Sequence, residues 1–268
     1  MNQRKDELPT ELQLPALCLA AWEGNQDDMM QLLASGADVN QRDATARSNL
    51  QNRAGVMLDA SLSTNGFTPL LFACASGCVQ AVDILLDHGA DVGAVNEGSY
   101  AALHVAAKQG HESIVELLLA KTTNHIEGRT YEGCTPLMIA SAKGRVSAVE
   151  YLLSHGANVH ARDKSNRTAI WWAAAEGHVD VIELLLSNEA AIEDKDVNGC
   201  TPLIIASEKG RVSAVECLLS HGANLHARDK YECTAIWRTA SEGHMDVIEL
   251  LLSKGANIVD KNINGCTP

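Results

Sequence analysis

The sequence predicts an all-α fold, a solenoid of stacked antiparallel helix pairs, and three observations carry that expectation. The stretch "GCTPLMIASAKGRVSAVEYLLSHGANVHARD" from Gly133 returns almost letter for letter at Gly199 as "GCTPLIIASEKGRVSAVECLLSHGANLHARD". Between the copies, Lys164 to Asn198 shares the skeleton but not the letters, so the structural period is half the evident one. Lastly, pairs of glycines lie twelve residues apart at Gly24/Gly36, Gly77/Gly89, Gly144/Gly156, Gly210/Gly222 and Gly243/Gly255. A passage written repeatedly in one register describes a unit that stacks on copies of itself.

Each unit justifies its own elements. In Gly133 to Asp163, Thr135 can cap a helix through its hydroxyl, and Pro136 suits the first helical position, where no amide partner is needed. Gly144 can end that helix in a left-handed conformation. Val146, Val149, Leu152 and Leu153 then recur at helical spacing up to Gly156, marking a second helix. Such helices are too short to persist alone in water. Their solidity has to come from burying an apolar face against neighbouring units.

Along the chain, residues 1–13 read as an N-terminal leader and 14–268 as the array. The units fall at about 14–43, 65–98, 99–130, 131–163, 164–196, 197–229 and 230–262, with a partial unit at 263–268. The start, "MNQRKDELPTELQLPALCLAAWEG", is interrupted by Asp6, Glu7, Glu11 and Pro15, which argues against a secretion signal. Its "LCLAAWEG" falls at the place of a first helix. Residues 44–64 form an inserted loop, long enough to be either partner-contacting or disordered. The third unit lacks the second Gly-Ala stop and carries one extra residue, predicting an altered outgoing loop. In the fifth, Glu189 replaces the stop glycine, at a cost of about 1 kcal/mol in a left-handed cap. The chain ends at "INGCTP", where an eighth helix would begin, which predicts a natural continuation.

"TPLMIASAKG" and "TPLIIASEKG", each followed by a Val/Leu-rich helix and "HGAN", resemble ankyrin repeats. Thr135, Thr168, Thr201, Thr234 and Thr267 recur at intervals of 33 residues, the period of that family. The resemblance implies an ankyrin-repeat solenoid with β-turn fingers and inner helices on a concave side, and outer helices on a convex one. It also implies that His111, His178 and His244, each after a stop glycine, bond between neighbouring loops. Trp171 and Trp237 stand in place of the signature His, with Trp172 beside the first and Arg238 at the equivalent of Trp172; packing in the core, with the Arg238 charge reaching outward, is expected. Loops like "LLASGADVN" can be hydroxylated in this family, making Asn40 a candidate acceptor with His160 and His226 equivalent to it.

The 268 residues carry a formal net charge of −13 and no long Lys/Arg cluster. Nucleic acid and anionic membranes are therefore disfavoured as partners, and a protein partner with basic features fits better. The apolar runs fall well short of a membrane span. Four of the eight cysteines, Cys134, Cys200, Cys233 and Cys266, occupy one repeated position. Units stacked about 10 Å apart cannot bring them within disulfide reach. Reduced thiols and an intracellular setting, cytoplasmic or nuclear, follow.

No metal, cofactor or catalytic residue is expected. The sequence holds neither a C-x-x-C nor an H-E-x-x-H pair, and no phosphate loop or nucleophile elbow. The expected function is noncatalytic binding of a partner protein. The alternative is a targeting or regulatory segment of a larger enzyme, ubiquitin-ligase adaptor or channel. Information should lie where equivalent surface positions differ. On that argument the candidate partner-binding residues are Trp22, Phe67, Tyr100, Tyr131, Lys164, Arg167 and Tyr231, because Trp, Tyr and Arg dominate binding hot spots. Packing of the aromatics against the insertion or an adjacent finger is the structural alternative.

Overall fold

The computed structural model describes residues 15–43, 64–121 and 125–268. The leader, all of the insertion but Thr64, and residues 122–124 of the third unit's altered loop lie outside the described residues. Among the described residues the chain forms helices and no strand, in two compact units, Met1–Tyr131 and Glu132–Pro268.

The first unit holds three helix pairs: α1 (Ala16–Glu23) with α2 (Gln26–Ala34), α3 (Pro69–Ser76) with α4 (Val79–Asp87), and α5 (Ala102–Gln109) with α6 (Glu112–Lys121). The second holds four: α7 (Pro136–Ala142) with α8 (Val146–Ser154), α9 (Ala169–Glu176) with α10 (Val179–Ser187), α11 (Pro202–Glu208) with α12 (Val212–Ser220), and α13 (Ala235–Glu242) with α14 (Met245–Ser253). Within each unit the odd-numbered inner helices pack in sequence order on one another, and the even-numbered outer helices do the same. The seven pairs are the seven complete repeats expected from the sequence.

Local chemistry sets each helix. The hydroxyls of Thr68, Thr135 and Thr201 accept the backbone N–H of Leu71, Met138 and Ile204 at 3.4, 3.4 and 3.3 Å, and a proline opens the helix that follows. Thr168 and Thr234 precede alanine instead of proline, and their hydroxyls are buried without a partner. Inner helices are sunk most deeply within the stack, where all of Pro69 to Ala75 in α3 is buried, and less so in α13, where Ala235, Ile236 and Thr239 are. Outer helices bury one stripe, such as Ala148, Val149 and Leu152 in α8.

The stop glycines leave room for the next repeat. Gly144 has φ 65°, and a Cβ there would lie 2.5 Å from Nδ1 of His178. That histidine arrives from the following repeat and hydrogen-bonds Ala142 O through Nε2 at 3.3 Å. His111 meets Ala75 O and His244 meets Glu208 O in the same way, at 3.3 and 3.1 Å. Arg211 occupies the equivalent position one repeat before His244 and donates from Nε to Ala175 O at 3.1 Å. Glu189 is left-handed at φ 65°, as its place in the register predicts.

Candidate partner-binding face

The connections between helix pairs are fingers built on one side chain. In the second unit, Oδ1 of Asp163 accepts the N–H groups of Ser165 and Arg167, both at 2.9 Å. Asp196 does the same for Asn198 and Cys200, and Asp229 for Tyr231 and Cys233. The carboxylate substitutes for a backbone acceptor and closes the turn. A left-handed residue completes each finger: Gly133, Asn166, Gly199, Glu232 and Gly265 in the second unit, Gly66 and Ser99 in the first.

Fingers are tied side by side through their backbones. Lys164 N–H donates to Glu132 O, Val197 to Ser165 O, Lys230 to Asn198 O and Ile263 to Tyr231 O, at 2.9 to 3.0 Å. The equivalent bonds in the first unit run from Glu97 to Asn65 O and from Tyr131 to Gly98 O, at 3.1 and 3.0 Å. Lys164, Val197 and Lys230 are thereby set in a row at the tips, all exposed. At the finger bases a second ladder runs through cations. Arg162 Nη1 donates to Lys195 O, Lys195 Nζ to Arg228 O, and Arg228 Nη1 to Lys261 O.

Behind the tips, guanidinium groups meet the second oxygen of the finger carboxylates. Arg167 donates from Nε to Asp163 Oδ2 at 2.7 Å, and its guanidinium lies 4.1 Å from the centre of the Trp172 ring. Asp163 is wholly buried in its side chain and Arg167 is 21% exposed. Two repeats on, Arg238 donates from Nε and Nη2 to Asp229 Oδ2 and lies 5.5 Å from the Tyr231 ring, which Lys230 also approaches at 5.0 Å. The Arg238 charge thus bonds inward to a buried carboxylate; the expected outward reach is corrected by that bond. Partial burial is the largest single influence and lowers the Arg238 pKa, but the Asp229 hydrogen bond and charge, with Cys233 and Cys200, together hold it above its ordinary value.

Of the residues expected to bind a partner, Lys164, Arg167 and Tyr231 share the finger side of the second unit, and Tyr131 is 66% exposed at a finger tip of the first. Tyr100 is half-buried, edge-on to His104 at 6.0 Å with Lys108 Nζ 5.3 Å from its ring. Trp22 and Phe67 offer no surface, being 1% and 0% exposed. Both pack edge-on against Phe72, with ring centres 6.4 and 5.2 Å away, so they are core residues of the first two repeats. Trp22 stands where later repeats carry residues such as Ala75, Ala142 and Ala175.

Four residues of this side lie outside the candidate set: Lys230 and Val197, which the sequence placed at finger tips, and Trp172 and Arg238, which it placed in the core column. Trp172 is half-buried beneath Arg167, in place of being core filler like its neighbour Trp171, which is 8% exposed. Val197 is 58% exposed between Lys164 and Lys230 in the tip row, and Arg238 anchors the far end. Trp237 is also half-buried and donates from Nε1 to Cys266 O at 3.2 Å. Asn40, the candidate for hydroxylation, accepts the Asp91 N–H at 2.8 Å and so links the first two repeats. All eight cysteines carry free thiols. Burial pushes the Cys18 and Cys200 thiols up to about 12, with Asp43 adding to the first and Asp196 to the second. Among the described residues there is no cluster of three or more His, Cys, Asp or Glu that could hold a metal ion, and no helix long and apolar enough to cross a membrane.

Stacked helix pairs with carboxylate-based fingers and loop-bridging histidines define a class of repeat protein. The family description "Ankyrin repeats (3 copies)" matches residues 45–130, 103–196, 159–229 and 189–262, and "Ankyrin repeat" matches 14–44. The chain belongs to the ankyrin-repeat family, whose members are generally noncatalytic modules that bind other proteins. The ankyrin repeat protein YahD of Escherichia coli (strain K12) is 31% identical over 176 residues, covering 59% of this chain and 88% of the relative. Ankyrin repeat and KH domain-containing protein mask-1 of Caenorhabditis elegans is 32% identical over 145 residues, 53% of this chain and 5% of its own length. Inversin of Gallus gallus is 34% identical over 106 residues, 39% of this chain and 10% of its own length. The chain thus spans most of one relative and a small part of the other two.

Proposed function

We propose that this protein is a noncatalytic binding module that holds a segment of a partner protein on the finger face of its second unit. The observation that carries the reading is the setting of Arg167. Its Nε is committed to Asp163 and its plane is held on Trp172, while Nη1 and Nη2 have no partner among the described residues. An arginine fixed in this way has already lost the side-chain entropy that binding would otherwise cost. Lys164 on the same finger, Val197 one repeat on, and Lys230 and Tyr231 two repeats on extend this into exposed polar and apolar surface. Tyr100 and Tyr131 are the corresponding candidates in the first unit. An intracellular setting, cytoplasmic or nuclear, is part of this reading and is supported by the free, mostly buried thiols.

The test is a selection of displayed peptides against the folded protein. Enriched peptides should lose at least about tenfold in affinity, 1.4 kcal/mol, for a Lys164→Glu, Val197→Asp double variant with an unchanged unfolding midpoint. Equal binding to both proteins would overturn the reading.

Mask-1 and inversin, in which the matched stretch is a small part of the whole, favour a second reading in which the array is the recognition segment of a larger enzyme, adaptor or channel. Sequencing the intact transcript separates the two, since a catalytic or membrane-spanning region in the same frame would establish the second.

A further inference from the structure

We infer that the segment held on this face is an extended acidic peptide, with carboxylates six residues apart and apolar side chains between them; this rests on the binding role proposed above. The finger side of the second unit carries exposed cations beside exposed carboxylates: Glu132 is exposed, Glu232 is exposed but 3.7 Å from Arg228, Asp196 is half-buried with Oδ1 accepting two backbone N–H groups, and Asp163 and Asp229 are sunk. Lys164 and Lys230 are exposed in the tip row, and Arg167 and Arg238 lie behind them. The side chains of Asp163 and Asp229 are 0% exposed, and both oxygens of each are engaged, Oδ1 by backbone N–H groups and Oδ2 by an arginine. At these two pairs, what remains for a ligand is donor capacity: Nη1 and Nη2 of Arg167, and Nη1 of Arg238, have no partner among the described residues. Glu208, the one carboxylate of α11 on this side, is close to cations already, 3.5 Å from Lys209 and 3.9 Å from Arg238.

Spacing makes the inference specific. The two cationic clusters belong to repeats separated by one intervening repeat, hence two steps of about 10 Å each. An extended chain rises about 3.3 Å per residue, so six residues span the gap. Side chains of an extended strand alternate in direction, and an interval of six returns a side chain to the same face. Positions two and four residues along also face the protein. There they meet the intervening repeat, which offers Val197, 58% exposed at the tip.

The net charge of −13 points the other way, toward a basic partner, but the two statements concern different distances. Net charge sets the far field that steers approach. Contacts inside a Debye length of about 8 Å answer to the nearest groups, and those with donors left to offer include Arg167 and Arg238.

The experiment uses fluorescein-labelled Glu-Ser-Leu-Ser-Leu-Ser-Glu, titrated with the full protein and followed by anisotropy. The same peptide with lysine ends, and one with glutamates three apart, serve as controls. The first should bind at least about tenfold more tightly than either control, and more weakly as salt rises from roughly 50 to 300 mM. The exposed charge reversals Lys164→Glu and Lys230→Glu should each weaken it while leaving the unfolding midpoint in place. Lysine ends binding as well, no binding of the acidic peptide, or indifference to both reversals would overturn the inference. Should displayed peptides compete at this face without spaced carboxylates, the acidic inference alone falls and the binding role stands.

Discussion

Arg238 reaches Oδ2 of Asp229 from the inner helix α13, and Arg167 reaches the same oxygen of Asp163 from the finger itself, four residues along the chain. The two positions exchange partners between repeats: where the finger supplies Arg167 the helix carries Trp172, and where the helix supplies Arg238 the finger carries Cys233. Each buried carboxylate therefore has a single guanidinium, placed by a different route. Removing a partner from a buried pair leaves a stranded charge. Because Arg238 is 23% exposed, the expected loss for Arg238→Trp is discounted to about 2 kcal/mol. Adding Cys233→Arg should restore most of it, since that pair of substitutions copies the Asp163 arrangement. Urea unfolding of the single and double variants measures this; no recovery in the double variant would show that the two sites are not equivalent.

Glu189 and Glu232 hold φ of 65° and 59°, values that suit glycine. Replacing either with glycine relieves a left-handed penalty of about 1 kcal/mol, partly offset by the greater freedom of glycine in the unfolded chain. Glu232 also gives up a pair with Arg228 at 3.7 Å, between groups 36% and 56% exposed, which contributes little. A rise in melting temperature is expected for both, larger for Glu189→Gly. The opposite substitution, Gly144→Ala, should lower it sharply, because the added carbon meets the His178 ring at 2.5 Å.

Most of the frame was legible in the sequence because it is made of local, repeated chemistry. Thr135 and Gly144 perform the tasks their spacing implied, and His178 the one the family resemblance implied. The face was less legible because it depends on which way a large side chain turns, and one sequence does not record that. Trp22 and Arg167 both stood out as unusual members of their columns. Phe72 of the next repeat draws Trp22 into the core. Asp163 and Trp172 instead keep Arg167 near the surface.

Trp22 and Phe67 yield a prediction that separates stability from binding. Large-to-small changes at buried aromatics cost about 3–5 kcal/mol, and here the loss should fall on the first unit, where both rings meet Phe72. Hydrogen exchange should show α1 and α3 deprotected in Trp22→Ala. Peptide binding at the second unit's face should persist in the same sample. Loss of peptide binding with intact protection of α1 would instead place Trp22 in the interface.

Thiols give the pH dependence. Cys18 and Cys200 ionise near 9 when exposed and near 12 in the fold, chiefly because burial excludes their thiolates. A raised folded value means that the unfolded chain loses the proton first. Stability is then undiminished below about pH 9, and falls as pH climbs from there toward 12, because ionisation draws the chain toward the unfolded state. Cys74, buried completely, acts in the same direction. At pH 8 iodoacetamide should modify the exposed Cys266 first and leave Cys18, Cys74 and Cys200 untouched until urea is added. Peptide mass mapping reads this directly, and early modification of Cys74 would mean that the α3 core opens far more often than its burial implies.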